Sequence, residues 1–119
     1  MRPLINPGMP TPFGWGYYLQ NPSTGEPVEF DDCQQTTGIV LDYKHRYWHL
    51  LTNLKIQKFI IKQLWDQALG QVQASGSRPV RWYIAERNTA DFVRELFRDD
   101  PEGRDKIEII YAPMPGSDQ

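Results

Sequence analysis

The chain has 119 residues, of which 39% are hydrophobic, 13% aromatic and 24% charged, and its formal net charge is −2. That length suits one domain with a modest core, and no apolar run reaches the roughly 18 residues of a membrane-spanning helix. The slight acidity weighs against a typical basic DNA-binding module, no secretory signal pattern opens the chain, and the single cysteine, Cys33, rules out an intrachain disulfide.

Residues 1–27 are dense in Pro and Gly, which predicts irregular chain and turns. The apolar residues Phe13, Trp15, Tyr17, Tyr18 and Leu19 argue that this lead-in lies against the domain, with Trp15 to Leu19 extended. Such a start suits a domain cut from the end of a larger parent chain. Asn21-Pro22-Ser23-Thr24-Gly25 reads as a turn. Glu26–Asp32 and Thr37–His45 read as two strands, joined by a short polar link that favours a hairpin-like antiparallel pair. Lys55–Ala74 is the clearest helix, with Thr52 or Asn53 as its cap and Ile56, Ile60 and Leu64 as its apolar stripe, Phe59 at the edge. Val80–Ala85 is a strand, Ala90–Arg98 a helix capped by Asn88 or Thr89, and Lys106–Tyr111 a last strand. This order predicts an α/β fold, with a small mixed sheet of about four or five strands flanked by helices.

The chemistry centres on the second strand. Successive side chains alternate between faces, so Val40, Asp42 and Lys44 share one face and Ile39, Leu41 and Tyr43 the other. An acid and a base in line on an apolar strand form either a structural ion pair or a site where the carboxylate holds a metal and the Lys faces an anion. The preceding strand brings Glu29, Asp31 and Asp32. On the long helix, Gln63, Gln67 and Gln71 recur at four-residue steps near the apolar stripe. They either line a polar site or mark where the helix leaves the core. Lys44, Arg46, Lys55, Lys58 and Lys62 follow one another with no acid between, as a positive face or a solvated flank. His45 and His49 have a zinc-compatible spacing but no third ligand nearby; His45, next to Lys44, can instead meet a phosphate. Cys33 has nothing beside it to activate it and reads as a structural thiol. Tyr47 and Trp48 read as base-stacking or core aromatics, and Arg46 as a phosphate contact or surface.

Paired carboxylates beside a Lys are the parts of a metal-dependent phosphodiesterase. Hard cations such as Mg²⁺ take one or two carboxylates together with water and phosphate. In that reading Asp31 and Asp42 are the ligands and Lys44 stabilises charge at phosphorus.

The chain also resembles a family, the restriction-endonuclease-fold toxin domains of bacterial polymorphic toxins called Tox-REase-5. The matching residues are Asn6-Pro7-Gly8-Met9-Pro10-Thr11-Pro12, Glu29-Phe30-Asp31 with Cys33, Asp42-Tyr43-Lys44, Gln67 and Gln71, Val80-Arg81-Trp82 with Ala85-Glu86, and Ile107-Glu108-Ile109-Ile110-Tyr111-Ala112-Pro113. The resemblance implies a PD-(D/E)xK nuclease core over residues 28–113 within a single domain, using Mg²⁺ or Mn²⁺. It implies Asp31, Asp42, Lys44, Gln67 and Gln71 as catalytic-site residues, Asp31 and Asp42 as metal ligands, and Glu29 and Glu86 in support. His45, Arg46 and Tyr47, on the loop where this chain leaves the family pattern, are the expected nucleic-acid contacts. The resemblance further implies a DNA-cleaving toxin at the end of a type VI secretion effector, acting in the cytoplasm of a target bacterium and neutralised by a cognate immunity protein, with no membrane partner. An RNase and a non-catalytic interaction domain on the same fold are the alternatives.

Overall fold

A computed structural model describes residues 17–34 and 36–113. The N-terminal motif at Asn6–Pro12, Phe13, Trp15 and most of the Pro/Gly-rich lead-in lie outside the described residues. Of that lead-in, the described part is ordered rather than irregular. Strand β1 (Tyr17–Gln20) turns back through Asn21–Gly25 into β2 (Pro27–Phe30), and the two pair antiparallel in a sheet of their own. Gly25 takes φ 76°, a left-handed value suited to glycine, and donates to the Asn21 carbonyl at 2.7 Å. Asn21 is buried and donates to the Gln73 amide at 2.9 Å, which staples the turn to the long helix.

The main sheet has four strands, β3 (Asp32–Cys33), β4 (Val40–Lys44), β5 (Val80–Ile84) and β6 (Glu108–Tyr111), in that spatial order. The β3–β4 pair is antiparallel, and β4–β5 and β5–β6 are parallel. Between the strands lie α1 (Trp48–Leu51), α2 (Gln57–Ser75) and α3 (Arg87–Phe97). The mixed sheet with helices is the architecture the sequence implies. The crossovers through α2 and α3 both step across the sheet in the same direction, which places both helices on one face. Trp82, at the centre of that face, touches both: it bonds Gln71 of α2 and meets Phe97 of α3 edge-on at 5.5 Å. Val40, Leu64, Ala68, Trp82, Ile84, Ala90, Val93 and Phe97 form the core between these layers.

Several boundaries differ from the sequence reading. The run from Glu26 to Asp32 is not one strand paired along its length with β4. It breaks at Asp31, because β2 finds its partner in β1 and only Asp32–Cys33 pairs with β4. Neither Thr52 nor Asn53 caps α2, whose N-cap position is Ile56 with no side-chain cap bond. Thr52 instead bonds back to the Trp48 carbonyl, closing the short α1 that the sequence did not announce, and Asn53 bonds the Lys55 N–H in the turn before α2. Helix α3 begins at Arg87, with Glu86 at its N-cap position, and the last strand begins at Glu108 after a 3-10 turn over Arg104–Lys106. Phe59, placed at the edge of the apolar stripe by its spacing, is 61% exposed. Cys33 is buried, as a structural thiol would be.

Candidate functional site

Strand β4 carries the site. The alternation read from sequence holds: Val40, Asp42 and Lys44 are buried on the helix-covered face, while Tyr43 is exposed. Two parallel-strand neighbours complete the setting, since Asp42 is in register with Trp82 and Lys44 with Ile84. Asp42 and Lys44 are only 4% and 5% exposed, so their charges must be met inside the protein.

They are met in full. Lys44 Nζ lies 2.7 Å from Asp42 Oδ2 and donates at 2.7 Å to Gln67 Oε1. It also sits 4.6 Å from the centroid of the Trp82 ring, where the electron-rich face attracts a cation. Asp42 Oδ2 accepts from Lys44, from Gln67 Nε2 at 2.9 Å and from Gln71 Nε2 at 3.0 Å. Gln71 is wholly buried, and its own carbonyl accepts the Trp82 indole N–H at 2.7 Å. The Gln67–Gln71 pair thus points into the sheet as one of its two sequence readings required, while Gln63, one turn earlier, stays exposed. Gln71 has no exposed surface, and its amide holds Asp42 on one side and the Trp82 indole on the other.

The break at Asp31 puts that residue beside the pair. Its backbone N–H bonds the Leu41 carbonyl at 3.0 Å, and its carboxylate accepts the Tyr43 N–H at 2.8 Å. The same Tyr43 N–H reaches Asp42 Oδ1 at 3.0 Å. The two carboxyls are hydrogen-bonded to each other. Burial, the bond to Asp42 and the Asp42 charge push Asp31 up to about 7, against the Tyr43 N–H and Lys44. Burial works to raise Asp42 too, but the bond from Asp31, the Lys44 charge and the Lys44 and Gln71 bonds outweigh it and hold Asp42 below the usual carboxylate range. The opposite shifts mean that a proton taken up by the pair goes to Asp31 before Asp42.

This has a measurable consequence for the metal-free protein. Asp31 has a folded value above its unfolded 3.8, so its contribution to stability is full below that value and is lost as pH rises through about 7. Asp42 acts in the opposite sense, and its contribution fades as pH falls below the carboxylate range. Urea unfolding in EDTA is expected to show a loss of about 1–2 kcal/mol between about pH 4 and pH 8, after discount for water reaching the half-buried Asp31. Asp31→Asn should flatten that limb. A wild-type stability that is level across this range would contradict the raised Asp31.

Tyr47 leans toward the same pair. Its ring centroid is 5.9 Å from Lys44 Nζ, and burial followed by the Asp42 and Asp31 charges raises its hydroxyl above the ordinary value. Glu86 is what holds it: one carboxylate oxygen accepts the N–H groups of Tyr47 and Trp48 at 2.7 and 2.8 Å and the Thr89 hydroxyl at 2.9 Å. Glu86 thereby ties the loop after β4 to the start of α3. His45 and Arg46 are exposed on that loop. Arg46 takes φ 62°, a left-handed conformation uncommon for a residue with a side chain.

Other expected residues fall elsewhere. Glu29 belongs to the separate two-stranded sheet, and its carboxylate accepts the Tyr18 hydroxyl at 3.0 Å. Its link to the site is its backbone carbonyl, 3.4 Å from Gln71 Nε2. The strand breaks between Glu29 and Asp31, so the two do not follow one continuous alternation. Lys44 is buried and so is not part of a positive surface, and Lys62 is paired with Asp66 at 2.5 Å. The residue that sequence reasoning undervalued is Trp82, read only as core or partner surface. Its position on the Val80–Ile84 alternation was legible, but its register against Asp42 was not.

Among the described residues no group of three or more His, Cys, Asp and Glu side chains gathers as a metal site. The Asp31–Asp42 pair offers two carboxylates, an all-oxygen donor set suited to a hard divalent cation that keeps several waters. The donor set therefore fits Mg²⁺ or Mn²⁺. Comparison with protein-family models, with curated proteins and with solved structures finds no match to this chain.

Proposed function

We propose that this chain is a divalent-metal-dependent nuclease domain that hydrolyses phosphodiester bonds of DNA. The observation that carries the reading is the meeting of Asp31, Asp42 and Lys44 at the end of β4. Three residues singled out by the sequence, two on β4 and one at the break between β2 and β3, converge on one hydrogen-bonded cluster. The antiparallel entry into a parallel sheet is compatible with a restriction-endonuclease-like core, and the resemblance to Tox-REase-5 supports the same chemistry.

In this reading Asp31 and Asp42 hold Mg²⁺ or Mn²⁺. Such a cation, when bound, neutralises phosphate charge and makes water more acidic. The chain's own residues do the rest. Gln71, braced by Trp82, fixes the direction of Asp42. Gln67 holds Lys44 and Asp42 in one closed ring of hydrogen bonds. Lys44 supplies a positive charge beside the carboxylates, where a phosphate would otherwise be repelled. Tyr47, Arg46 and His45 line the approach as contacts to the nucleic acid. In its biological setting the domain is an antibacterial toxin at the end of a secreted effector, active in the target cell's cytoplasm and bound by a cognate immunity protein.

Plasmid DNA with MgCl₂ tests this directly. Wild type is expected to nick and then degrade it, EDTA to stop the reaction, and Asp42→Asn to slow it by at least about a hundredfold. Expression in bacteria without an immunity partner should be toxic for wild type and tolerated for Asp42→Asn. Intact plasmid at every metal concentration overturns the DNase reading, and cleavage of RNA alone moves the substrate to RNA. One observation favours a second reading. Asp42, Lys44, Gln67, Gln71 and Trp82 already satisfy one another within the protein, as a purely structural ion pair in a non-catalytic interaction domain would. Absence of cleavage on both nucleic acids would select it.

A further inference from the structure

Tyr43 and Tyr83 are register partners on neighbouring parallel strands, and their rings stack with centroids 5.6 Å apart and planes inclined by 19°. Stacking has not buried them as a core pair, since Tyr43 remains 48% exposed. Beside them is a cavity of about 430 Å³ lined by Tyr43, Lys44, His45, Tyr83, Ala85 and Ala112. Its volume falls within the range of small-molecule sites, and its lining is mainly aromatic and aliphatic, with Lys44 and His45 as the polar residues. Two cations stand close by. Arg81 donates to the Tyr83 hydroxyl at 3.2 Å while its charge is paired with Glu108 at 2.6 Å, and Arg46 follows His45 on the exposed loop.

The position of this cavity relative to the carboxylates is fixed by one residue. The Tyr43 N–H bonds both Asp31 and Asp42, while the Tyr43 ring faces the cavity from the opposite side of the strand. Lys44 lines the cavity and also binds Asp42. Tyr43 is thus the residue that joins the carboxylates, through its backbone, to the stacked rings on the other face of the strand. A planar ring is the occupant that extends an existing stack of rings. In a duplex the faces of the bases are covered by their neighbours, so only an unpaired, unstacked base presents a face to a tyrosine.

We infer that the Tyr43–Tyr83 cavity is a nucleobase subsite, and that the nuclease acts on single-stranded DNA or on a strand that has left its duplex. The inference rests on the nuclease reading for its catalytic meaning, but the binding it asserts can be measured without catalysis.

The test uses the whole chain in EDTA at fixed salt, with fluorescein-labelled oligo-dT and a labelled duplex of equal length, read by fluorescence anisotropy. Wild type is expected to bind the single strand more tightly than the duplex. Tyr43→Ala and Tyr83→Ala should each weaken single-strand binding about tenfold, as loss of one stacking partner does. Tyr83→Phe should retain the affinity, and duplex binding should not change. Tyr43→Ala alters an exposed side chain and leaves the backbone N–H in place, so it keeps the test valid if Tyr83→Ala folds poorly. Hydrolysis of bis(p-nitrophenyl) phosphate with Mn²⁺, a substrate without a base, reports catalysis by the wild type separately from base binding. Equal binding of duplex and single strand, or undiminished oligo-dT binding by Tyr43→Ala, overturns the subsite. A wild type that fails on the small phosphodiester and on plasmid, yet shows the tyrosine-dependent binding, overturns the nuclease reading and leaves the subsite standing.

Discussion

Lys44→Ala is expected to abolish nucleic-acid cleavage and to destabilise the fold by about 3–5 kcal/mol, the usual result of leaving one charge of a buried pair uncompensated. The charge left behind is Asp42, 4% exposed and facing Trp82 and Gln71. Two effects are mixed in that one variant, and a second variant separates them. Asp42→Asn/Lys44→Met removes both charges while retaining bulk, so it should recover at least half of the lost stability and remain inactive. Urea unfolding and plasmid cleavage, run side by side, provide the check. A double variant as unstable as Lys44→Ala would mean that the penalty comes from packing at Lys44, not from an orphaned Asp42.

Gln71→Leu should produce the next largest loss, about 2–3 kcal/mol, because it strands two buried partners at once. The Trp82 indole N–H loses its acceptor at 2.7 Å, and Asp42 Oδ2 loses a donor at 3.0 Å. Replacing both members of a buried hydrogen bond by apolar groups is far less costly than replacing one. Gln71→Leu/Trp82→Phe should therefore regain part of the loss. Gln67→Ala, at an exposed position with the same Asp42 partner, should change stability by less than about 1 kcal/mol. If Gln67→Ala and Gln71→Leu proved equal in thermal unfolding, the burial difference between them would not be what sets their roles.

The two glutamines show how much of the site was legible beforehand. Their four-residue spacing put them on one face of α2, but spacing was silent on depth. Gln71 falls beneath the sheet's centre and is wholly buried, while Gln67 sits one turn nearer the rim and remains in water. Tyr47 and Glu86 show a different limit. Both were named, but the bond from the Tyr47 N–H to Glu86 joins residues 39 apart in the chain, and no local pattern encodes it. Glu29 and Asp31 mark the opposite error. Treated as one continuous strand they share a face, and the break between them sends Asp31 to Asp42 and Glu29 to Tyr18.

By itself the sequence determined what short-range periodicity controls: a β4 that buries Asp42 and Lys44 together and turns Tyr43 outward, a long helix with its amides in line, and the alternation of strands and helices that forces parallel crossovers. Tertiary structure decided which partners those faces meet. Strand register set Asp42 against Trp82 and Tyr43 against Tyr83, and the competing β1–β2 pairing freed Asp31 to approach Asp42. The reason is physical. A strand's period of two residues fixes the side of the sheet a residue occupies, but neither its position along the neighbouring strand nor which strand the neighbour is. Those are settled only when the core closes, and the Asp31–Asp42 contact, the braced Asp42 and the paired tyrosines are all products of that closure.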